Sequence, residues 1–417
     1  MHTLTSLSDL LWSAPLILLL IGLGGICLLR GRGEALRSVR RLSSGWKGSG
    51  NAGHSPFQAC MTSLGAAMGT GNIAGVAAAI TVGGAGAVFW MWIAALFGTG
   101  LIYTENVLSA RFRCGKESGA AAYIRHGLGM PKLAAAFCIC AVLASFGMGC
   151  MVQTHTMSQT LEAAFQVPDW LTGGLAAVFT AAVILGGAKR IGQFAQVAVP
   201  VVSGIYLLLG IFVICRNAAA LPDAFRSIFR GAFGFHAVSG GITGEILRRA
   251  VTVGVRRGVF SNEAGLGSSG MLHSASDGEP EFLGACAILE LVLDTFVCCT
   301  VTALAILTSG AHGADGGALV LEAFRTGAGV WADLLLPPVT ALFALCTLIG
   351  WSFCGAQSLR SLTDGKFLTV YRVLFCIAAF SGASLEASLV WTLSDIANAL
   401  MAWINCFAIT ALLVRSS

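Results

Sequence analysis

The sequence predicts an all-α polytopic membrane protein of about eleven transmembrane helices, two inverted groups of five preceded by one extra amino-terminal helix. Three observations carry this. Of 417 residues, 56% are hydrophobic and only 11% are charged, with a mean hydropathy of +0.80, whereas soluble domains run to about 25% charged. Apolar stretches of roughly 20 residues, the length that crosses a hydrocarbon core of about 30 Å, recur from end to end with short polar connections. Two of these crossings carry glycines and polar residues at matching places. No room is left for a soluble domain, so residues 1–417 read as a single membrane domain.

Taken in order, the clear spans are roughly 10–29, 57–83, 86–109, 132–161, 170–187, 194–215, 282–309, 331–359, 367–384 and 387–414. The first lacks a basic n-region and a small-residue cleavage site, so it reads as a retained extra helix and not a signal peptide. Between 231 and 270 the chain is too polar for a hydropathy window, and the placement of Lys and Arg decides the parity. If this stretch crosses, 56–215 form the first five-helix repeat and 231–414 the second. The basic loops 30–47, 111–132, Lys189-Arg190, Arg256-Arg257 and 360–372 then all fall on one side. That side is the cytoplasm, with the amino terminus outside and the carboxy terminus inside a cytoplasmic (inner) membrane. The net charge of +5 is therefore topogenic and needs no nucleic-acid partner. Fourteen cysteines lie in apolar runs without metal-ligand spacing or a secreted disulfide pattern, and read as small free core residues.

The stretch GAAMGTGNIAGVAAAI, 65–80, puts Gly65, Gly69, Gly71 and Gly75 inside a membrane span. The stretch 231–270 carries SGGITG and Glu245. Unpaired backbone groups in hydrocarbon cost several kcal/mol each, so both helices are expected to be interrupted and buried. Paired interrupted helices of opposite orientation are the mark of an inverted-repeat transporter. Unwinding at 69–72 would free N–H and C=O groups for a carboxylate and a cation. Close packing of Gly71 and Gly75 against a neighbour explains the glycines alone. It does not explain Thr70, Asn72 or the second interrupted helix.

Those residues also carry a resemblance. MGTGNIAGVAAAITVGGAGAVFWMWIAALFGTGLIYTENVLSARFR, GGAKRIGQFAQVAVP, RRGVFSNEAGLGSSGMLHSAS, LDTFVCCTVTAL, CTLIGW and SDIANALMAWIN resemble, in order, the signatures of the alanine or glycine:cation symporter family. The resemblance implies a LeuT-type fold and sodium-coupled uptake of a small neutral amino acid, alanine or glycine, by alternating access. Sodium is the coupling ion, no other cofactor is implied, and the partners are the substrate, sodium and the lipid bilayer, with a monomer as one permitted state. A proton-coupled carrier for serine, glutamine or D-alanine is the alternative. It also implies a substrate site at Thr70, Gly71, Asn72, Gln153, Thr347 and Trp351, and a sodium site at Ala66, Ala67, Gly69 and Thr347. The amide N–H groups at Gly71 and Asn72 suit an α-carboxylate. Gln153 can accept from an ammonium and donate to a carboxylate, or form an interhelical hydrogen bond. Trp351, near the middle of its span, would wall the cavity, interfacial anchoring being the other role for a tryptophan.

The family pattern is broken at Ala85 (GGAGA for GGPGA), at Cys150 in place of an asparagine, and at Cys346 in place of a threonine. Of the remaining buried ionisable groups, Glu290 and Asp294 are spaced as a proton relay or as acids held by bases and hydroxyls. Glu105 and Arg111 read as an ion pair, SNEAGLGS as an anion cradle or an inner-gate turn, and His155 as a packed polar residue. No catalytic cluster of a membrane enzyme and no repeated channel filter is present, so a non-enzymatic carrier is expected.

Overall fold

The computed structural model describes residues 2–31, 37–39, 42, 55–115, 117–233, 242–273, 276 and 278–415. It is all-helical. The principal helices are α1 (His2–Leu11), α2 (Ala14–Arg30), α3 (Pro56–Ala67), α4 (Ala74–Gly83), α5 (Gly86–Arg111), α6 (Pro131–Phe165), α7 (Asp169–Ile184) and α8 (Gly187–Arg216). They continue with α9 (Leu221–Phe233), α10 (Ile242–Asn262), α11 (Ser269–His273), α12 (Pro280–Ser309), α13 (Gly316–Ala328), α14 (Val330–Thr363), α15 (Leu368–Gly382) and α16 (Ala387–Arg415). Among the described residues, seven helical spans are long and apolar enough to cross a membrane, and α3 with α4 makes an eighth, bent by 47° at its break. The apolar helices α7 and α15 are shorter.

Lipid tails are as apolar as leucine, so close helix packing here depends on small residues. A Cβ on Gly24 would meet the Phe97 carbonyl, and one on Gly100 would lie 2.5 Å from the Gly24 carbonyl, which presses α2 against α5. The first span differs from a single rod over 10–29. It runs from His2 to Arg30 as one span, with the helix interrupted at Trp12 and Ser13 ahead of Pro15.

The run α10–α11 lies alongside α5 from end to end. Gly254 faces Ala87 and Trp90, Gly258 faces Met91, Ala264 meets Gly98, and Gly270 takes the Ser109 hydroxyl at 2.8 Å. Against α4 it runs antiparallel, with Gly83 beside Val253 and Gly71 beside Phe260 and Ser261. Two interrupted helices thus pass each other in opposite directions with their breaks adjacent. The expected break at SGGITG begins in residues that lie outside the described ones, 234–241, and a break is seen further along the chain. There α10 stops at Asn262, and Glu263 (φ 59°), Gly265 (φ 92°) and Gly267 (φ 76°) take left-handed backbone before α11. Glu245 is half-exposed near the start of α10 and pairs with Arg248 and Arg249 at 2.7 Å each. Residues 231–233 complete α9, so the polar stretch is split between two helices.

All fourteen cysteines are free and ten are buried, while Cys114 and Cys215 are exposed. Arg256 and Arg257 are not in a loop but inside α10, where both bind the buried Asp395 of α16. Glu105 does not pair with Arg111. It is buried and accepts from Asn405 Nδ2 at 2.6 Å, leaving Arg111 to Glu281 at 2.9 Å.

Candidate functional site

Helix α3 ends because Met68 (ψ 83°) and Gly69 (φ −128°, ψ −148°) leave helical space. A single 3₁₀ turn, Thr70–Asn72, follows before α4 begins. Helix interruption strands backbone donors, and side chains answer for two of them here. Asn72 Oδ1 accepts the Gly69 N–H at 3.1 Å, and Gln153 Oε1 accepts the Thr70 N–H at 3.0 Å and its hydroxyl at 2.9 Å. Only glycine fits at position 69, since a Cβ would strike the Thr347 hydroxyl and lie 2.8 Å from Gln153 Oε1.

Gln153 reaches this point because α6 contains a π-turn at Gly147–Met151. Such turns free a carbonyl, and Gln153 Nε2 donates to that of Met148 at 2.9 Å. Both lone pairs of its oxygen and one of its two amide hydrogens are engaged, leaving one hydrogen for a ligand. Trp351 of α14 packs on the same π-turn, where Gly149 leaves room that a Cβ would close. Its indole Nε1 donates to Glu263 Oε1 at 2.8 Å, joining α14 to the second break.

Asn72 connects the two breaks. Its Nδ2 donates to Asp294 Oδ1 at 2.6 Å, and Asp294 Oδ2 accepts from Ser261 at 2.8 Å and Thr295 at 2.9 Å. Asp294 sits on a second π-turn, Val292–Cys299. That turn aims Asp294 and Glu290 at different partners, since Glu290 contacts His273 at 2.8 Å and accepts from Ser63 at 2.7 Å. Both acids are therefore held by bases, amides and hydroxyls. His155 is buried, with neither ring nitrogen bonded.

On the other flank, the Thr347 hydroxyl donates to the Gly65 carbonyl at 3.0 Å. Gly350 packs on Ala66, and the Ala67 carbonyl accepts the Gly69 N–H at 2.9 Å. The four residues expected around a cation thus lie at one seam between α3 and α14. Among the described residues no group of three His, Cys, Asp or Glu could hold a metal, so a cation at this seam would be held by carbonyls and hydroxyls.

Both approaches are closed. Thr70, Asn72, Gln153, Thr347 and Trp351 are at most 2% exposed. On the side where α1 begins, Phe260 lies against Gly71 and stacks on Trp391, with ring centroids 4.8 Å apart. Arg257 sits 4.3 Å from the Trp391 ring and 3.1 Å from Asp395. The indole of Trp12 donates to the Asp395 carbonyl at 2.8 Å, and Ser8 accepts from Arg256 at 2.7 Å, so α1 takes part in the closure. On the opposite side Asn405 donates to the Gly265 carbonyl at 2.9 Å and to Glu105.

A model of the sodium:alanine symporter family matches residues 1–416. The chain belongs to this family. It is 36% identical to the sodium/alanine symporter AgcS of Methanococcus maripaludis, covering 98% of this chain and 93% of that protein. It is also 36% identical to the probable sodium/glutamine symporter GlnT of Bacillus subtilis, over 98% and 87% of the two chains. The putative sodium/proton-dependent alanine carrier YrbD of the same organism is 32% identical, over 98% and 89%. Among solved structures, MhsT in complex with L-phenylalanine matches 86% of this chain and 89% of its own at a TM-score of 0.60 and 13% identity. At that identity the likeness concerns fold, and the fold is LeuT-type. The protein is a multi-pass membrane transporter.

The first break and its neighbours are legible in the sequence, and SNEAGLGS is legible as a turn, but its contacts with the first break are not. Ser261, Asn262 and Glu263 were visible in SNEAGLGS, yet an unwound turn gives no periodic signal before its partner helix is known. Arg256, Arg257 and Asp395 were also missed as a unit, although two adjacent arginines facing an acid inside an apolar run are the expected sign of a buried ion pair.

Proposed function

We propose that this transporter carries a small neutral amino acid, alanine or glycine, into the cell with sodium, by alternating access around residues 69–72. The observation that carries this reading is the contact between two antiparallel interrupted helices, made directly by Gly71 with Phe260 and Ser261 and bridged from Asn72 to Ser261 by Asp294 of α12. At the first break, buried backbone dipoles and the neutral side chains of Thr70, Asn72, Gln153 and Thr347 suit an amino acid's carboxylate and a singly charged hard cation. The carboxylate would meet Thr70, Gly71, Asn72 and the free amide hydrogen of Gln153. Trp351 would limit side-chain size. Sodium would take the Ala66, Ala67 and Gly69 region with Thr347. The name of AgcS supports sodium and alanine.

The test is radiolabelled uptake into proteoliposomes against a panel of small amino acids, with sodium replaced by potassium or by a proton gradient. Saturable alanine or glycine uptake only with a sodium gradient is expected. Uptake driven by protons alone would favour the second reading, in which Asp294, a buried acid held by amide and hydroxyl donors alone, is the coupling site.

The proposed topology has eleven crossings with the amino terminus outside. Its support is the course of α10–α11 along the full length of α5, together with the basic groups gathered at one end of the bundle. There Arg30 donates to the Leu413 carbonyl at 2.7 Å and Arg415 to that of Leu128 at 3.1 Å. Removing Arg256 and Arg257 from the loop tally leaves the bias in place. A reporter active only in the cytoplasm should give signal when fused after Ser417 and after Asp364. Silence from both would overturn the topology.

A further inference from the structure

We infer that α7 and α15 form a binding site for one anionic phospholipid, with an acyl chain between the helices and the phosphate against Arg360 and Arg372. The two helices touch where Gly173 meets the Phe380 carbonyl, and then separate. Between them is a groove of about 560 Å³, lined on α7 by Gly174, Val178 and Ala181 and on α15 by Val373, Ile377 and Phe380. From Phe380 to Thr369 it runs about 16 Å at ~1.5 Å per residue. That is one leaflet of a hydrocarbon core about 30 Å thick.

The groove is apolar except at one end, where Arg372 enters its lining. Arg372 and Ile184 also line a second cavity of about 110 Å³, which contains Gln357 and Arg360. The two spaces are adjacent, a tail-shaped slot and a small basic chamber that share Ile184 and Arg372 in their walls. Arg360 and Arg372 are each half-buried. Among the described residues neither forms an ion pair, and Arg360 donates to Gln357 Oε1 at 3.4 Å. Arg190, next in sequence to the chamber residue Ile191, donates to the Ala182 carbonyl at 2.6 Å, and Lys189 and Lys366 are exposed. Partly desolvated guanidinium groups without an acid need an anion, and planar bidentate donors suit a phosphate. A basic chamber at headgroup depth beside an apolar slot of one leaflet's length therefore fits a diacyl phosphate ester. The site lies on the lipid-facing flank, apart from residues 69–72.

The full-length protein, purified in neutral detergent, is exposed to dioleoyl-phosphatidylglycerol, dioleoyl-phosphatidylcholine or inorganic phosphate, and bound species are counted by native mass spectrometry. Two arginine contacts at the membrane surface predict a preference for phosphatidylglycerol over phosphatidylcholine of about thirtyfold, or ~2 kcal/mol. Arg360→Ala with Arg372→Ala should abolish the preference while leaving phosphatidylcholine binding unchanged. Gly174→Phe should displace both lipids, and the backbone there accepts a side chain, since a Cβ at Gly174 meets nothing within 4 Å. Thermal unfolding checks that the variant keeps the fold. Equal retention of the two lipids, or a preference that survives the double arginine variant, overturns the proposal. So does competition by millimolar phosphate equal to that of the lipid, which would mean a headgroup-only anion site. A dimer that Gly174→Phe dissociates would assign the groove to a second copy of the chain instead.

Discussion

Gln153→Ala is expected to reduce initial uptake of alanine by between about tenfold and a hundredfold at sub-saturating substrate. The side chain bonds to both elements that shape the site. It accepts from the Thr70 N–H and hydroxyl and donates to the Met148 carbonyl of the π-turn. Truncation leaves two buried donors and a carbonyl unpaired, at roughly 1 to 3 kcal/mol for each stranded group, and each factor of ten corresponds to about 1.4 kcal/mol. Part of that cost falls on the fold, so membrane abundance and thermal unfolding must be measured beside uptake. Gln153→Glu divides the two functions: it keeps the acceptor for Thr70, loses the donor to Met148 and buries a charge. Its uptake should fall even where its abundance does not. Normal uptake by Gln153→Ala in folded protein would mean that the break is held without this residue, and the substrate site would have to be moved.

The legible and illegible parts of this molecule differ in a physical way. Spans were legible because their signal is additive over about 20 residues, and structure moved most of their ends by only a few positions. The break at 68–73 was legible because four glycines and an asparagine cannot form an ordinary membrane rod. SGGITG, where glycine content places a counterpart, begins outside the described residues, and the break that is seen follows Asn262. The left-handed positions at Glu263, Gly265 and Gly267 follow instead from how α10 and α11 pack along α5. The two π-turns at the site, Gly147–Met151 and Val292–Cys299, are invisible to periodicity, since a single inserted residue leaves hydropathy unchanged. Yet they decide the site: one places Gln153 and Gly149, and the other separates Asp294 from Glu290. Arg256 and Arg257 were counted as loop charges for the same reason, as hydropathy cannot distinguish a buried guanidinium neutralised by Asp395 from an exposed one.

Thr347→Ala is expected to raise the sodium concentration for half-maximal uptake by about tenfold, at ~1.4 kcal/mol for that factor. The seam between α3 and α14 offers oxygen without a carboxylate, which suits a hard monovalent cation and leaves no acid there to take up a proton in its place. Thr347 is central to it. Its hydroxyl lies 3.0 Å from the Gly65 carbonyl and against Gly69, where no side chain larger than hydrogen fits. On the proposed reading that contact adds the Gly65 carbonyl to the oxygens a cation would meet, since carbonyl and hydroxyl each keep a free lone pair. The neighbouring Cys346 is buried, and a Cβ on Gly65 would lie 3.4 Å from its own. A sulfur there offers a poor ligand, so Cys346→Thr should leave the sodium dependence unchanged or lower the half-maximal concentration. The measurement is initial rate against sodium at fixed alanine, repeated at saturating alanine. If Thr347→Ala shifts only the alanine dependence and sodium dependence stays intact, Thr347 contacts the amino acid and the cation lies elsewhere.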